Sequence, residues 1–314
     1  MTNALAQIED KYEVISPLRG GGMGMLYLVR HRLLDELRVV KVMQARHVRD
    51  ATLRERFVRE ARAAIRLRHP HVVQVHDFSL EAEGGLLVLE HIDGVDLGRV
   101  VQAGVAPSLP LGLEIARQAL RALGYLHRNG FTHRDVSPDN LMLSLDVERR
   151  PHVTLIDLGI AKPVGAAGLT LSGAFVGKLR YASPEHFGQT DSAPRVEPRS
   201  DLYALGIVLF ELWTGRHPFP ASSAPELIAA QLRRRPLAWE RADTDGRLPE
   251  AARALLTRAL HKRPDDRWQT ADAWRGEVEA LQATLGASEQ LMSVDARRLL
   301  ASRSSLDSKD PVRT

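Results

Sequence analysis

The chain has 314 residues, of which 44% are hydrophobic and 26% charged, with 43 basic side chains against 39 acidic ones. That balance suits a globular chain with a large core in one or two lobes, and so small and dispersed a positive excess does not argue for nucleic acid. The absence of cysteine excludes disulfides and thiolate metal sites, and no apolar run approaches the ~20 residues of a membrane span.

Residues 1–11 read as an N-terminal extension. They lack a basic region followed by an apolar core, so they are no secretory signal. Residues 12–18 and 26–30 read as strands. Between them, Arg19-Gly20-Gly21-Gly22-Met23-Gly24 has more glycine than a hairpin needs. Glycine also lets backbone N–H groups close in on phosphate oxygens. Residues 38–43 form a strand with Lys41 among apolar neighbours. From Asp50, a suitable N-cap, a helix is predicted to about Arg68. Leu53, Phe57, Glu60, Ala64 and Leu67 make its single inward stripe. A carboxylate on that stripe needs a cation, and Lys41 is the candidate. Residues 72–78 and 86–91 complete five antiparallel strands.

Residues 111–128 read as a helix closed by Asn129-Gly130. His133-Arg134-Asp135-Val136-Ser137-Pro138-Asp139-Asn140 follows, then an apolar triplet. Asp135 and Asn140 alone would also suit ordinary turn chemistry. However, residues 153–156 read as a buried strand ending in Asp157-Leu158-Gly159. Asp135, Asn140 and Asp157 are therefore expected at the loop ends of neighbouring strands, as oxygen ligands suited to Mg²⁺. Residues 162–181 have no clear period and are expected to be mobile. Tyr181-Ala182-Ser183-Pro184-Glu185 comes next. Ser200 is read as the N-cap of a helix that is hydrophobic on all sides, runs over 201–210 and closes at Gly215. Arg233-Arg234-Arg235 reads as solvated surface or a dock for an acidic partner. After Arg263-Pro264 and Arg267-Trp268 the chain turns polar from about Gly286. A short amphipathic piece there, 291–300, reads as a mobile tail or a docking helix.

Taken together and in this order, these motifs resemble the eukaryotic-type (Hanks-type) serine/threonine protein kinases of bacteria. The resemblance implies an α+β, bilobal protein-kinase-like fold. Residues 12–92 would form a small antiparallel β lobe with one main helix, residues 93–284 a large, mostly helical lobe, and residues 285–314 a polar tail. It implies that Gly20, Gly21, Gly22, Gly24 and Lys41 hold the ATP phosphates, with Glu60 as the partner of Lys41. The hinge at Glu90 and Ile92 would bind adenine beside Leu89, and Asp96 would lie at the ribose, although it suits a helix N-cap equally. Asn140 and Asp157 would hold Mg²⁺, or Mn²⁺ in its place, and Asp135 would accept or orient the proton of the attacking hydroxyl. Asp201 would clamp the catalytic loop, and Arg267 would pair with Glu185. Arg134 would meet an activation-loop phosphate on Thr170 or Ser172.

Three departures stand out. Arg19 replaces the first glycine of the loop. Ser137 replaces a lysine, and Lys178 replaces a threonine. The last two suggest a swap in which Lys178 supplies the missing cation from the other side. The implied function is transfer of the ATP gamma-phosphate to Ser/Thr hydroxyls of proteins in the cytoplasm. Autophosphorylation in a homodimer, no nucleic-acid partner and no membrane span in this chain complete the expectation. A pseudokinase serving as a nucleotide-binding or scaffold module is the alternative. The presence of Lys41, Glu60, Asp135, Asn140 and Asp157 argues against it.

Overall fold

The computed structural model describes residues 10–21, 24–43, 51–81, 84–158, 179–187, 196–286 and 289–301. They fall into two compact units that divide between Asp93 and Gly94, with Leu158 belonging to the first.

The first unit is a five-stranded antiparallel sheet of order β1-β2-β3-β5-β4. Its strands are β1 (Tyr12–Gly21), β2 (Gly24–His31), β3 (Glu36–Met43), β4 (Val75–Glu81) and β5 (Gly84–Glu90). Tyr12, Val29, Val40, Val42, Leu86 and Val88 form the core beneath it, mostly the β-branched and aromatic types that fit a pleated surface. Because strand side chains alternate, Lys41 lies on the opposite face from Val40 and Val42 and is half-buried. One helix, α1 (Ala51–Ala64), buries Phe57, Ala61 and Ala64. Phe57 meets Phe78 edge-on, with centroids 6.4 Å apart. The helix ends earlier than its sequence pattern suggests. Leu67 N–H donates to Ala64 O at 3.0 Å, which tightens the last turn, and Pro70 disfavours helix in the residue before it. Asp50 lies outside the described residues, as do Gly22 and Met23.

The second unit is mostly helical, with a small sheet of order β6-β7-β8. These strands are β6 (Val95–Asp96), β7 (Leu141–Leu145) and β8 (Pro151–Leu155). The helices are α2 (Leu97–Gln102), α3 (Leu109–Arg128), α4 (Pro198–Thr214), α5 (Ala224–Arg233), α6 (Trp239–Ala242), α7 (Glu250–Ala259), α8 (Ala271–Leu285) and α9 (Glu289–Ala301). Every residue of α4 from Ser200 to Thr214 is buried, so it is the axis of this unit. Gly215 caps it at φ 68°. Ser200 is not its N-cap. Glu197 takes that place, because Pro198 has the φ suited to a first helical residue. Ser200 sits at the third position and accepts the Glu197 N–H at 3.2 Å. The stretch read as a tail or docking helix packs, as α9, on β7, β8 and α3 of its own chain. It buries Ala296 and Leu299, and Asp295 accepts the Ser108 N–H at 2.7 Å.

Candidate active site

The loop 133–140 follows α3 through a turn in which Gly130 takes φ 76°. It is held from α4 by Asp201, whose carboxylate accepts the backbone N–H of His133 and of Arg134, each at 2.8 Å. His127 Nε2 stands 2.9 Å from the same carboxylate, which is 1% exposed. Burial pushes the Asp201 pKa up, but the His127 hydrogen bond, the charges of His127 and His133 and the His133 N–H outweigh it. The group stays below its ordinary value. Arg134 and Asp157 have φ of 63° and 55°. Each left-handed residue of this kind costs about 1–2 kcal/mol, so the surrounding bonds must hold it in place.

The antiparallel pairing of Leu141 with Leu155 brings the residue before β7 and the residues after β8 to one end of the hairpin. Ile156 N–H donates to Asn140 O at 2.9 Å. His133 Nε2 lies 3.1 Å from Ile156 O, tying the loop to the same end. Asn140 donates its amide to Asp135 O at 2.7 Å and to Asp135 Oδ2 at 3.1 Å. Its Oδ1 is thereby turned away as an acceptor. Asp135 and Asn140 are thus bonded to each other, and Asp157 follows the paired Leu155 at the same end of the hairpin. Among the described residues no three His, Cys, Asp or Glu side chains gather as a metal cage. One carboxylate and one amide oxygen fit a hard cation shared with phosphates. Ser137 is buried, and its carbonyl accepts the Asn140 N–H at 3.0 Å.

The segment 179–187 is anchored at both ends. Glu211 of α4 accepts Arg180 Nη2 at 2.8 Å and the Tyr181 hydroxyl at 2.6 Å. Arg180 O accepts Gln231 Nε2 at 2.8 Å. At the other end Arg267, 0% exposed, makes a two-pronged pair with Glu185, both bonds 2.8 Å. Ser200 Oγ donates to the same Glu185 at 2.8 Å. Burial raises the Glu185 pKa, yet the Arg267 bonds and charge bring it below its ordinary value.

In the first unit, Lys41 and Glu60 are half-buried on β3 and α1. Gly24 has φ 154°, and a Cβ there would sit 1.8 Å from Val42 O. The close approach of β3 therefore explains this glycine without any ligand. Gly20 and Gly21 lie in β1, and Arg19 pairs with Leu26 there. Glu90 donates its N–H to Gln74 O at 2.9 Å, and Ile92 is half-buried. Asp96, in the second unit, is the N-cap of α2 and accepts the Arg99 N–H at 2.9 Å. Gly159, Thr170, Ser172 and Lys178 lie outside the described residues.

Sequence reasoning missed three supports. His127 and Glu211 were hidden in apolar helices. Gln118, buried in α3, donates to Pro151 O at 2.8 Å and accepts the Val153 N–H at 2.7 Å, stitching β8 in place. Its signal was an amide on an otherwise apolar stripe.

A loop locked to a buried helical carboxylate beside a hairpin of this kind is a feature of the protein kinase fold. Residues 12–277 match the protein kinase domain, and the chain belongs to that family. It is similar to the serine/threonine-protein kinase pkn3 of Myxococcus xanthus, 34% identical over 87% of this chain and 50% of the relative. It is also similar to PknB of Mycolicibacterium smegmatis, 35% identical over 93% of this chain and 46% of the relative. The chain spans about half the length of these two relatives. Among solved structures, Rad53 1-466 in complex with AMP-PNP matches with a TM-score of 0.70 and 26% identity, over 86% of this chain and 65% of that one.

Proposed function

We propose that the chain is an ATP-dependent serine/threonine protein kinase acting in the cytoplasm. The observation that carries the proposal is the grouping of Asp135, Asn140 and Asp157 at one end of the β7–β8 hairpin, with the loop backbone bonded to Asp201. The names of the bacterial relatives and the nucleotide analogue bound to Rad53 support it.

In this reading Asp135 orients the acceptor hydroxyl and takes its proton as the Oγ–P bond forms and the β–γ bridge breaks. Lys41, positioned by Glu60, and the backbone of Gly20, Gly21, Gly22 and Gly24 hold the phosphates. Glu90 and Ile92 take adenine, and Asp96 combines its capping role with a place beside the ribose. Asn140 and Asp157 would hold Mg²⁺ or Mn²⁺, which neutralises phosphate charge. Positioning and charge stabilisation then supply most of the rate. Lys178 supplies the cation that Ser137 lacks, and phosphorylation of Thr170 or Ser172 in a transient homodimer orders the segment through Arg134.

The test is labelled phosphate transfer from Mg-ATP to the chain itself and to a generic basic protein. Asp135→Asn should lower transfer by about 10²–10⁴-fold. Nucleotide binding without any transfer by the unaltered chain would favour the pseudokinase instead. Lys178→Thr should nearly abolish turnover and added Ser137→Lys should restore much of it, whereas simple additivity refutes the swap.

A further inference from the structure

We propose that the outward face of α1 is a docking surface for a short Asp/Glu-rich segment of a partner protein. Phe57, Ala61 and Ala64 bury one side of this helix. The 3.6-residue period then places Arg59 and Arg62 together on the opposite side, with Arg54 on its flank and Arg66 in the tight turn just past the helix end. All four are exposed. Among the described residues none of the four is drawn into an ion pair, although Glu55 lies at the head of the row. The face borders a concave space of about 630 Å³, lined among the described residues by these arginines with Glu55 and Val58 among them.

Like charges three residues apart on a helix repel, so Arg59 and Arg62 are held together at a cost, with Arg66 adding a further positive charge just past the helix end. An anionic segment laid along the row would relieve that cost. Guanidinium forks match carboxylates two-pronged, which a row of lysines would not do. From Arg54 to Arg62 the helical rise is about 12 Å, and the turn to Arg66 lengthens the row to the reach of about five extended residues at ~3.3 Å each. The row is one helix wide, interrupted by a carboxylate and by the half-buried Val58 and Ala63. That suits interleaved peptide side chains better than the evenly charged plane of a membrane or the regular phosphates of a nucleic acid.

The experiment is fluorescence anisotropy of a labelled hexaglutamate peptide with the full chain. Saturable binding that weakens with salt is expected. Arg59→Glu/Arg62→Glu should weaken it at least ~10-fold, while Arg233→Glu/Arg235→Glu, an equal charge change on exposed arginines, leaves it within about 2-fold. A cooperative melting transition and the circular dichroism of the unaltered chain report that each variant is folded, and Arg59→Gln/Arg62→Gln replaces the reversal if it is not. No saturable binding, an equal loss at 233 and 235, or tighter binding of a single-stranded oligonucleotide or phosphatidylserine vesicles through the same arginines overturns the proposal. Phosphate transfer is no part of the readout, so this inference and the kinase reading fail separately.

Discussion

The two units treat polar side chains in opposite ways. Among the described residues of the first, His71 is the buried polar side chain, and the rest of the interior is apolar. The second buries His133, Asn140, Glu185, Asp201, Glu211 and Arg267 around the loop 133–140 and the segment beyond it. Apolar packing tolerates small adjustments at graded cost. A desolvated charge must find its partner or the fold loses several kcal/mol. Lys41 and Glu60 therefore ride on an adjustable scaffold, whereas Asp135 and Asn140 are placed by groups with little latitude.

Breaking the buried pair should have the largest effect. Arg267→Met leaves Glu185 desolvated and should cost about 3–5 kcal/mol in urea unfolding. Adding Glu185→Gln should recover a large part. A cost below about 1 kcal/mol would show that the network does not fix the second unit. Gly24→Ala probes the other unit through its backbone. The clash with Val42 O and the strained φ should cost about 1–3 kcal/mol, seen as faster hydrogen exchange in β2 and β3 with α4 unchanged. Equal loosening of α4 would contradict the contrast.

The smallest effect concerns Lys262. Burial, then the charge of Arg267, lowers its pKa from 10.5 to about 7, although its Nζ donates to the Tyr203 hydroxyl at 2.9 Å. The unfolded chain holds this proton more tightly than the folded one. The lysine therefore destabilises fully below about pH 7, and the penalty fades as pH rises towards 10.5. Lys262→Met should raise the melting temperature most at pH 6 and least near pH 10. Nζ also lies 3.7 Å from the centroid of the Phe219 ring, which favours the cation. A flat pH profile would mean that the ring prevails over burial.

Much of this organisation was legible in the residues. The apolar neighbours of Lys41 exposed its strand, and the stretch 202–210, apolar on all sides, announced the core helix α4. The strands on either side of Asn140 and Asp157 were legible as neighbours, and a hairpin returns its ends to one place. What stayed hidden was set by contacts distant in sequence. Gly24 was legible as a phosphate glycine, but the close approach of Val42 on the next strand, which by itself requires a glycine there, was not. Ser200 looked like a cap because Glu197 is a weaker cap type and only Pro198 moves the start forward. The packing of α9 depends on a face of β7 and β8 that no local pattern reveals.

The left-handed backbones of Arg134 and Asp157 carry a consequence for any selection on heat resistance. Glycine, and to a lesser degree asparagine, adopts such angles more comfortably than arginine or aspartate. Substitution to either would relax the backbone, yet at 157 it would remove the carboxylate and at 134 the guanidinium. On the proposed kinase reading, durability and chemistry therefore pull these two positions apart, as strained functional sites commonly do. A library screened for survival on heating alone would drift towards Gly or Asn there, and on that reading would yield hardier proteins with impaired phosphate transfer.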